Sequence, residues 1–280
     1  MKRILTAVLL IAVILALIFL GQLWMLTLAA CLTAELAAYE YLTMANAGGA
    51  RIPVWWMAAG TAVLFLGTLP NWPVEAQLPI LSALTVVLFT WNGFRLPLDR
   101  VLPVTAQGLF GLIYVAYPLT LAPLIWNRDD GKPLLLFLLV SVWAGDIAAL
   151  YVGRAFGRHK LTPLSPNKTW EGSIASVIGS VAAGLAVVCL GDILSVRGNT
   201  VLHVTEPVWQ SILLAVLINL AAQLGDLLES AIKRGAGVKD SGSLLPGHGG
   251  ILDRIDALLV ATPVLWCVLL LKDAVGLGRF

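Results

Sequence analysis

ESAIKRGAGVKDSGSLLPGHGGILDRID, residues 229–256, is a dense polar stretch set between two apolar ones. It holds eight charged side chains, one His and six Gly. The runs on either side, 208–228 and 256–272, are mostly Leu, Val, Ala and Ile. Each is close to the roughly 20 apolar residues that a membrane-crossing helix needs. Working outward, the same pattern fills the chain. Hydrophobic residues make up 59% of the 280 and charged residues 12%, with a mean hydropathy of +0.90. Soluble domains carry roughly 25% charge. The composition is that of an all-α, polytopic integral membrane protein.

Nine runs are candidates to cross: roughly 4–20, 22–45, 53–69, 78–92, 104–125, 133–152, 172–191, 208–228 and 256–272. Pro53, Pro70, Pro73, Pro79, Pro103, Pro133 and Pro207 sit at their edges, where proline is tolerated. No internal repeat or low-complexity linker interrupts them, so one integral membrane domain over 1–280 is expected. Residues 1–20 could serve as a secretory signal, but further apolar runs follow to the end, and an uncleaved first span is expected. With the N-terminus in the cytoplasm, 13 of the 18 Lys and Arg fall on the cytoplasmic side and 5 on the other. That bias fixes the orientation. It puts both large polar loops, 153–171 and 229–255, on the cytoplasmic face of the cell's inner (plasma) membrane.

Several classes are excluded. Cys31, Cys189 and Cys267 lie far apart inside apolar runs, which argues against a disulfide framework, a zinc site or a redox pair. A net charge of +2 is too small for a nucleic-acid binder. The expected partners are small anionic substrates and the bilayer, and a homodimer is left open.

The polar residues gather in two cassettes, 143–172 and 226–257. The first, WAGDIAALYVGRAFGRHKLTPLSPNKTWEG, places Asp146 inside a helix and follows it with Arg154, Arg158, His159, Lys160 and Lys168. A charge at bilayer depth costs about 2.5–3.5 kcal/mol, so Asp146 should face protein, an ion or water. Ser165-Pro166 favours a turn. In the second cassette Asp226, Glu229 and Ser230 share one helical face. Lys233, Arg234 and Lys239-Asp240 follow in the loop. The PGHGG turn, 246–250, offers backbone N–H groups just ahead of a new helix, an arrangement suited to anions. Asp253 and Asp256 share a face of that helix, and Arg254 points elsewhere. Carboxylates on neighbouring helices suit Mg²⁺, which takes one or two of them together with substrate phosphates. Cations and N–H groups suit those phosphates. The combination points to phosphoryl or nucleotidyl transfer, in which catalysis is mainly positioning and charge neutralisation. Glu35 and Glu40, in the inner half of the second run, either line the same cavity or make helix-packing hydrogen bonds.

SAIKRGAGVKDSGSLLPGHGGILDRID, 230–256, resembles the signature of phosphatidate cytidylyltransferases, also called CDP-diacylglycerol synthases. The pattern is met by Ser230, Lys233-Arg234, Lys239-Asp240, His248-Gly249-Gly250, Asp253-Arg254 and Asp256. The first cassette is similar to the family's other polar loop, with Asn167 in place of a frequent Lys. Ala257 stands where a Ser often follows the last Asp. The resemblance implies that CTP and phosphatidate give CDP-diacylglycerol and pyrophosphate with Mg²⁺. It also implies that Asp226 and Asp253 hold the metal. Asp146 and Asp256 then support it or hold a second ion. Lys233, Arg234, Lys239 and Arg254 are assigned to the triphosphate and lipid head group, joined by Lys168 and Arg158. His248, Gly249 and Gly250 form the phosphate turn, and Ser230 supports metal or phosphate. Two rivals share parts of this physics. A transporter would couple ions through its intramembrane carboxylates, and another CTP-dependent lipid phosphotransferase would use the same charges on a different acceptor.

Overall fold

A computed structural model of the chain describes residues 2–69, 72–203, 207–242 and 249–275. Helices follow the apolar runs because, in hydrocarbon, each backbone N–H and C=O must be bonded within its own segment. In chain order they are α1 (Lys2–Phe19), α2 (Leu23–Ala47), α3 (Val54–Leu66), α4 (Gln77–Gly93), α5 (Leu98–Gly111), α6 (Tyr117–Trp126), α7 (Gly131–Phe156), α8 (Trp170–Val196), α9 (Val208–Gly235) and α10 (Leu252–Val275). Among the described residues, six stretches are long and apolar enough to cross a membrane: α2, the continuous 98–126, α7, α8, α9 and α10. Three shorter apolar helices accompany them, Val8–Phe19 of α1, α3 and α4. The polytopic helical class holds on this footing.

α5 passes into α6 through one π turn, Leu112–Ala116. There the Tyr117 N–H bonds Leu112 O, five residues back. Pro118, next in line, has no N–H to keep the ladder regular.

The segment joining α7 to α8 departs from the all-helical expectation. Strands β1 (Lys160–Thr162) and β2 (Ser165–Thr169) pair antiparallel, Lys160 opposite Thr169 and Thr162 opposite Ser165. Ser165 and Pro166, expected as the turn, begin β2. The turn falls two residues earlier, on Pro163-Leu164. Pro163 has the fixed φ that a turn's second position favours, and Thr162 Oγ1 accepts the Leu164 N–H at 3.3 Å.

The described residues group into two compact units. The first is built chiefly from 22–124 and 232–255. Here Tyr41 donates to Gln107 O at 2.8 Å, and Asn92 Nδ2 donates to Thr105 Oγ1 at 3.0 Å. Gly111 lets α2 approach, since a Cβ there would come within 2.5 Å of the Tyr41 ring.

The second unit is built chiefly from 4–21, 125–231 and the residues from 256 on. Small residues bring α7 and α8 together; a Cβ at Gly179 would come within 2.7 Å of Ala148 Cβ. A polar ladder then ties α9 to both. Asn219 Nδ2 donates to Ser176 Oγ (2.8 Å) and Ser180 Oγ (2.7 Å), and Ser180 Oγ donates to Ser141 O at 2.5 Å. Gln223 Nε2 donates to Asn219 Oδ1 at 2.6 Å, while Ser173 Oγ donates to Gln223 Oε1 at 2.5 Å. Asn219 is buried, so its partners have no water to replace it.

Replacing Asn219 by Leu should therefore lower stability by about 1–2 kcal/mol, several membrane hydrogen bonds at roughly 0.6 kcal/mol each. Thermal unfolding in detergent measures this. Leu220→Ala, at an exposed position next door, should change it by less than about 0.5 kcal/mol.

Candidate active site

Within the second unit, a cavity of about 550 Å³ opens between the C-terminal part of α7, the N-terminal part of α8, the C-terminal part of α9 and the hairpin. Asp146 of α7 and Asp226 of α9 line it, with Lys168 of β2 between strand and helix. Each is positioned by local sequence. Asp226 stands seven residues after Asn219, on the same face of α9 two turns on, so the ladder that locks Asn219 also aims Asp226. A Cβ at Gly225 would overlap the Asp256 carbonyl, so glycine is what lets α9 and α10 meet at that level. Lys168 is carried by the hairpin, and the hairpin is fastened at both ends. Thr169 closes β2 and caps α8, its Oγ1 accepting the Gly172 N–H at 3.2 Å. Glu171 takes the Arg158 N–H at 3.2 Å and approaches His159 Nδ1 at 2.6 Å. Gly157 at the end of α7 gives Thr169 its space; a Cβ there would come within 2.7 Å of Thr169 Cγ2.

Lys168 Nζ lies 2.5 Å from Asp226 Oδ2. Arg154, Lys160 and Asn167 also line the cavity, together with Ser173, Ser176 and Gln223 from the ladder. The cavity thus sets two carboxylates against three cationic side chains. Among the described residues, no three His, Cys, Asp or Glu side chains gather as a metal-binding group. Asp146 and Asp226 offer hard oxygen donors only. Such a pair fits Mg²⁺, which completes its shell with waters and substrate phosphates.

A second cluster lies in the first unit. Lys233 Nζ sits 2.6 Å from Asp253 Oδ1. Asp253 Oδ2 accepts from Gly250 N (2.9 Å) and Ser241 N (3.0 Å), and Ser241 Oγ lies 3.0 Å from the same oxygen. Glu40 of α2 reaches this cluster rather than lining a cavity with Glu35. It accepts the Ile251 N–H at 3.0 Å and the Leu252 N–H at 2.9 Å.

Of the residues expected from sequence, Asp146, Lys168 and Asp226 come together in the cavity, and Lys233, Gly250 and Asp253 in the second cluster. Asp226 and Asp253, expected to share an ion, each have a lysine as neighbour. Gly249, at φ +78°, takes a backbone conformation that favours glycine beside Asp253. Arg158 is not among the cavity's lining residues, and what it gives the site is its backbone N–H to Glu171. Arg234 is exposed and donates to Val238 O at 3.3 Å. Lys239 and Arg254 are exposed, and Ser230 is half-buried on α9. Asp256 Oδ1 accepts the Ala257 N–H at 2.8 Å. His248 lies outside the described residues. Sequence reasoning named Arg154 and Lys160 in the first cassette but assigned them no place in the site, since the orientation count had absorbed them. For Arg154 a signal existed: it follows Asp146 by about two helical turns.

The cytidylyltransferase family model matches residues 1–271. The phosphatidate cytidylyltransferase of Brucella suis biovar 1 is 43% identical over 158 residues, 56% of this chain and 54% of that protein. That match spans about half the length of the Brucella relative. The proteins of the same name from Staphylococcus saprophyticus and Staphylococcus epidermidis are 34% identical over 271 and 270 residues, each match covering 94% of this chain and 96% of the relative.

The Thr169 cap predicts a local effect. Thr169→Val keeps the shape but removes the acceptor for Gly172 N–H, and should cost about 1 kcal/mol. Thermal unfolding, with hydrogen exchange read at Gly172, checks it.

Proposed function

Because the chain belongs to the cytidylyltransferase family, we propose that it transfers a cytidylyl group from CTP to phosphatidate, giving CDP-diacylglycerol and pyrophosphate. The observation that carries this reading is the cavity in which Asp146, Asp226 and Lys168 meet beside Arg154 and Lys160. The relatives named phosphatidate cytidylyltransferase that match nearly end to end support the choice of lipid.

The chemistry asks little of a base. A phosphate monoester has its second pKa near 6 and is mostly ionised at neutral pH. One of its oxygens attacks the α-phosphorus of CTP. The bond from that phosphorus to the bridging oxygen breaks, and pyrophosphate leaves with the electron pair. The obstacle is the approach of two anions. Lys168, Arg154 and Lys160 neutralise them on the cavity side, and Lys233, Arg234, Lys239 and Arg254 are proposed for the triphosphate and head group. His248, Gly249 and Gly250 offer the phosphate turn, with Ser230 as a supporting hydroxyl and Arg158 as a further cation. Asp226 and Asp253 are proposed to hold Mg²⁺, with Asp146 and Asp256 supporting it or holding a second ion. When bound, the ion neutralises and orients the phosphates.

The six long helices with the three shorter ones are read as nine crossings of one integral domain. The N-terminus and both cassettes then lie in the cytoplasm, at the inner membrane, where CTP is supplied.

Purified protein given labelled CTP and phosphatidate in mixed micelles should form organic-soluble label with Mg²⁺ and none with excess chelator. Absence of liponucleotide under both conditions would reject the reading. Asp226→Asn and Asp253→Ala should each lose at least about 100-fold in kcat, roughly 3 kcal/mol of transition-state stabilisation, with helical content unchanged by circular dichroism. Lys168→Met should weaken kcat/KM for CTP by about 10-fold or more.

A further inference from the structure

We infer that Glu40, on α2 and outside both polar cassettes, is the positioning residue that sets Asp253. The inference rests on the cytidylyl transfer proposed above and names a residue that neither cassette motif contains.

Glu40 is 3% exposed. A carboxylate that deep must find donors or cost heavily, and it finds them in one place. Ile251 N and Leu252 N donate to its two oxygens at 3.0 and 2.9 Å. These amides open α10, where N–H groups lack intrahelical partners and the helix dipole favours an anion. Ser241 Oγ stands 3.0 Å from Glu40 Oε2 and 3.0 Å from Asp253 Oδ2. One hydroxyl proton therefore serves two carboxylates, while the same oxygen receives the Asp253 N–H at 3.3 Å. Glu40 thus grips both things that orient Asp253: the first turn of α10 and Ser241.

The glycines nearby report the same constraint. Gly242 and Gly250 are not at positive φ, unlike Gly237 and Gly249, so turn conformation does not call for them. Space for the carboxylate does. A Cβ on Gly242 would come within 2.5 Å of Glu40 Oε1, and a Cβ on Gly250 would overlap Glu40 Oε2 and Ser241 Oγ. A helix that needed only a cap would find one locally in Ser, Thr, Asp or Asn. This one draws its acceptor from 211 residues away.

Partners behind a metal-holding carboxylate typically account for about 10–100-fold in metal affinity or activity. Glu40→Gln keeps the size and one acceptor but turns an NH₂ toward a donor. It should lower kcat by about 10-fold or more while KM for CTP stays within about 3-fold, and should weaken Mn²⁺ binding to the substrate-free protein, read by electron paramagnetic resonance, by about 10-fold. Hydrogen exchange at Ile251 and Leu252 should quicken. Gly242→Ala, which keeps the carboxylate and displaces it, should shift all readings the same way and covers the case in which Glu40→Gln does not fold. Faster exchange with unchanged Mn²⁺ affinity and kcat would leave Glu40 a helix anchor and overturn the inference, as would unchanged exchange. If wild-type protein makes no liponucleotide, the reaction reading falls, while the Mn²⁺ and exchange readings still decide the role of Glu40.

Discussion

A carboxylate among apolar helices persists only where donors or cations meet it, and the arrangement of this chain follows from meeting that demand. Glu40 is met by the first amides of α10 and by Ser241. Asp253 is met by Gly250, Ser241 and Lys233. Asp226 is met by Lys168. Each of these acceptors draws a loop or helix end to a fixed place, so the polar cassettes are held by their own chemistry rather than by apolar packing, which the surrounding lipid cannot drive.

Around the cavity the work is divided between rigid and local parts. The ladder from Ser141 through Ser180, Asn219 and Gln223 to Ser173 locks three helices in register and aims Asp226 without touching it. The hairpin, clamped by Thr169 and Glu171, delivers Lys168 from a segment with no apolar face of its own. Catalysis that depends on bringing anions together suits this construction, because its main requirement is that charges stand still.

Much of this was legible in the chain. The apolar runs announced the helices, and the spacing of Asp226, Asp253 and their neighbours announced the cassettes. Three things escaped. The hairpin at 160–169 did so because Pro163 and Pro166 both signal turns, and only the Thr162 hydroxyl bond to Leu164 shows which one makes it. The role of Glu40, left open between lining a cavity and making packing hydrogen bonds, escaped because its partners lie some 200 residues away, a distance no local period encodes. The place of Arg154 and Lys160 in the cavity, though both were named in the first cassette, escaped because one charge can set orientation and serve a site together, and a count of loop cations absorbs both roles.

The two-stranded hairpin has a consequence for how the proposed lipid and nucleotide substrates could meet. Its outer edges present N–H and C=O groups that hydrocarbon cannot satisfy, so the ribbon must stand in water or among head groups. From the end of α7 at Phe156, where the ribbon departs, Asp146 lies ten residues back, about 15 Å along the axis. Residues from Asp146 to Gly157 line the cavity along that descent, with Asp146 and Arg154 as its charged side chains. Under the transfer proposed above, a cavity open to that depth would let a water-borne nucleotide reach the lipid head group. Acyl chains that stay in the leaflet during such a transfer would be spared an extraction cost near 0.8 kcal/mol for every methylene.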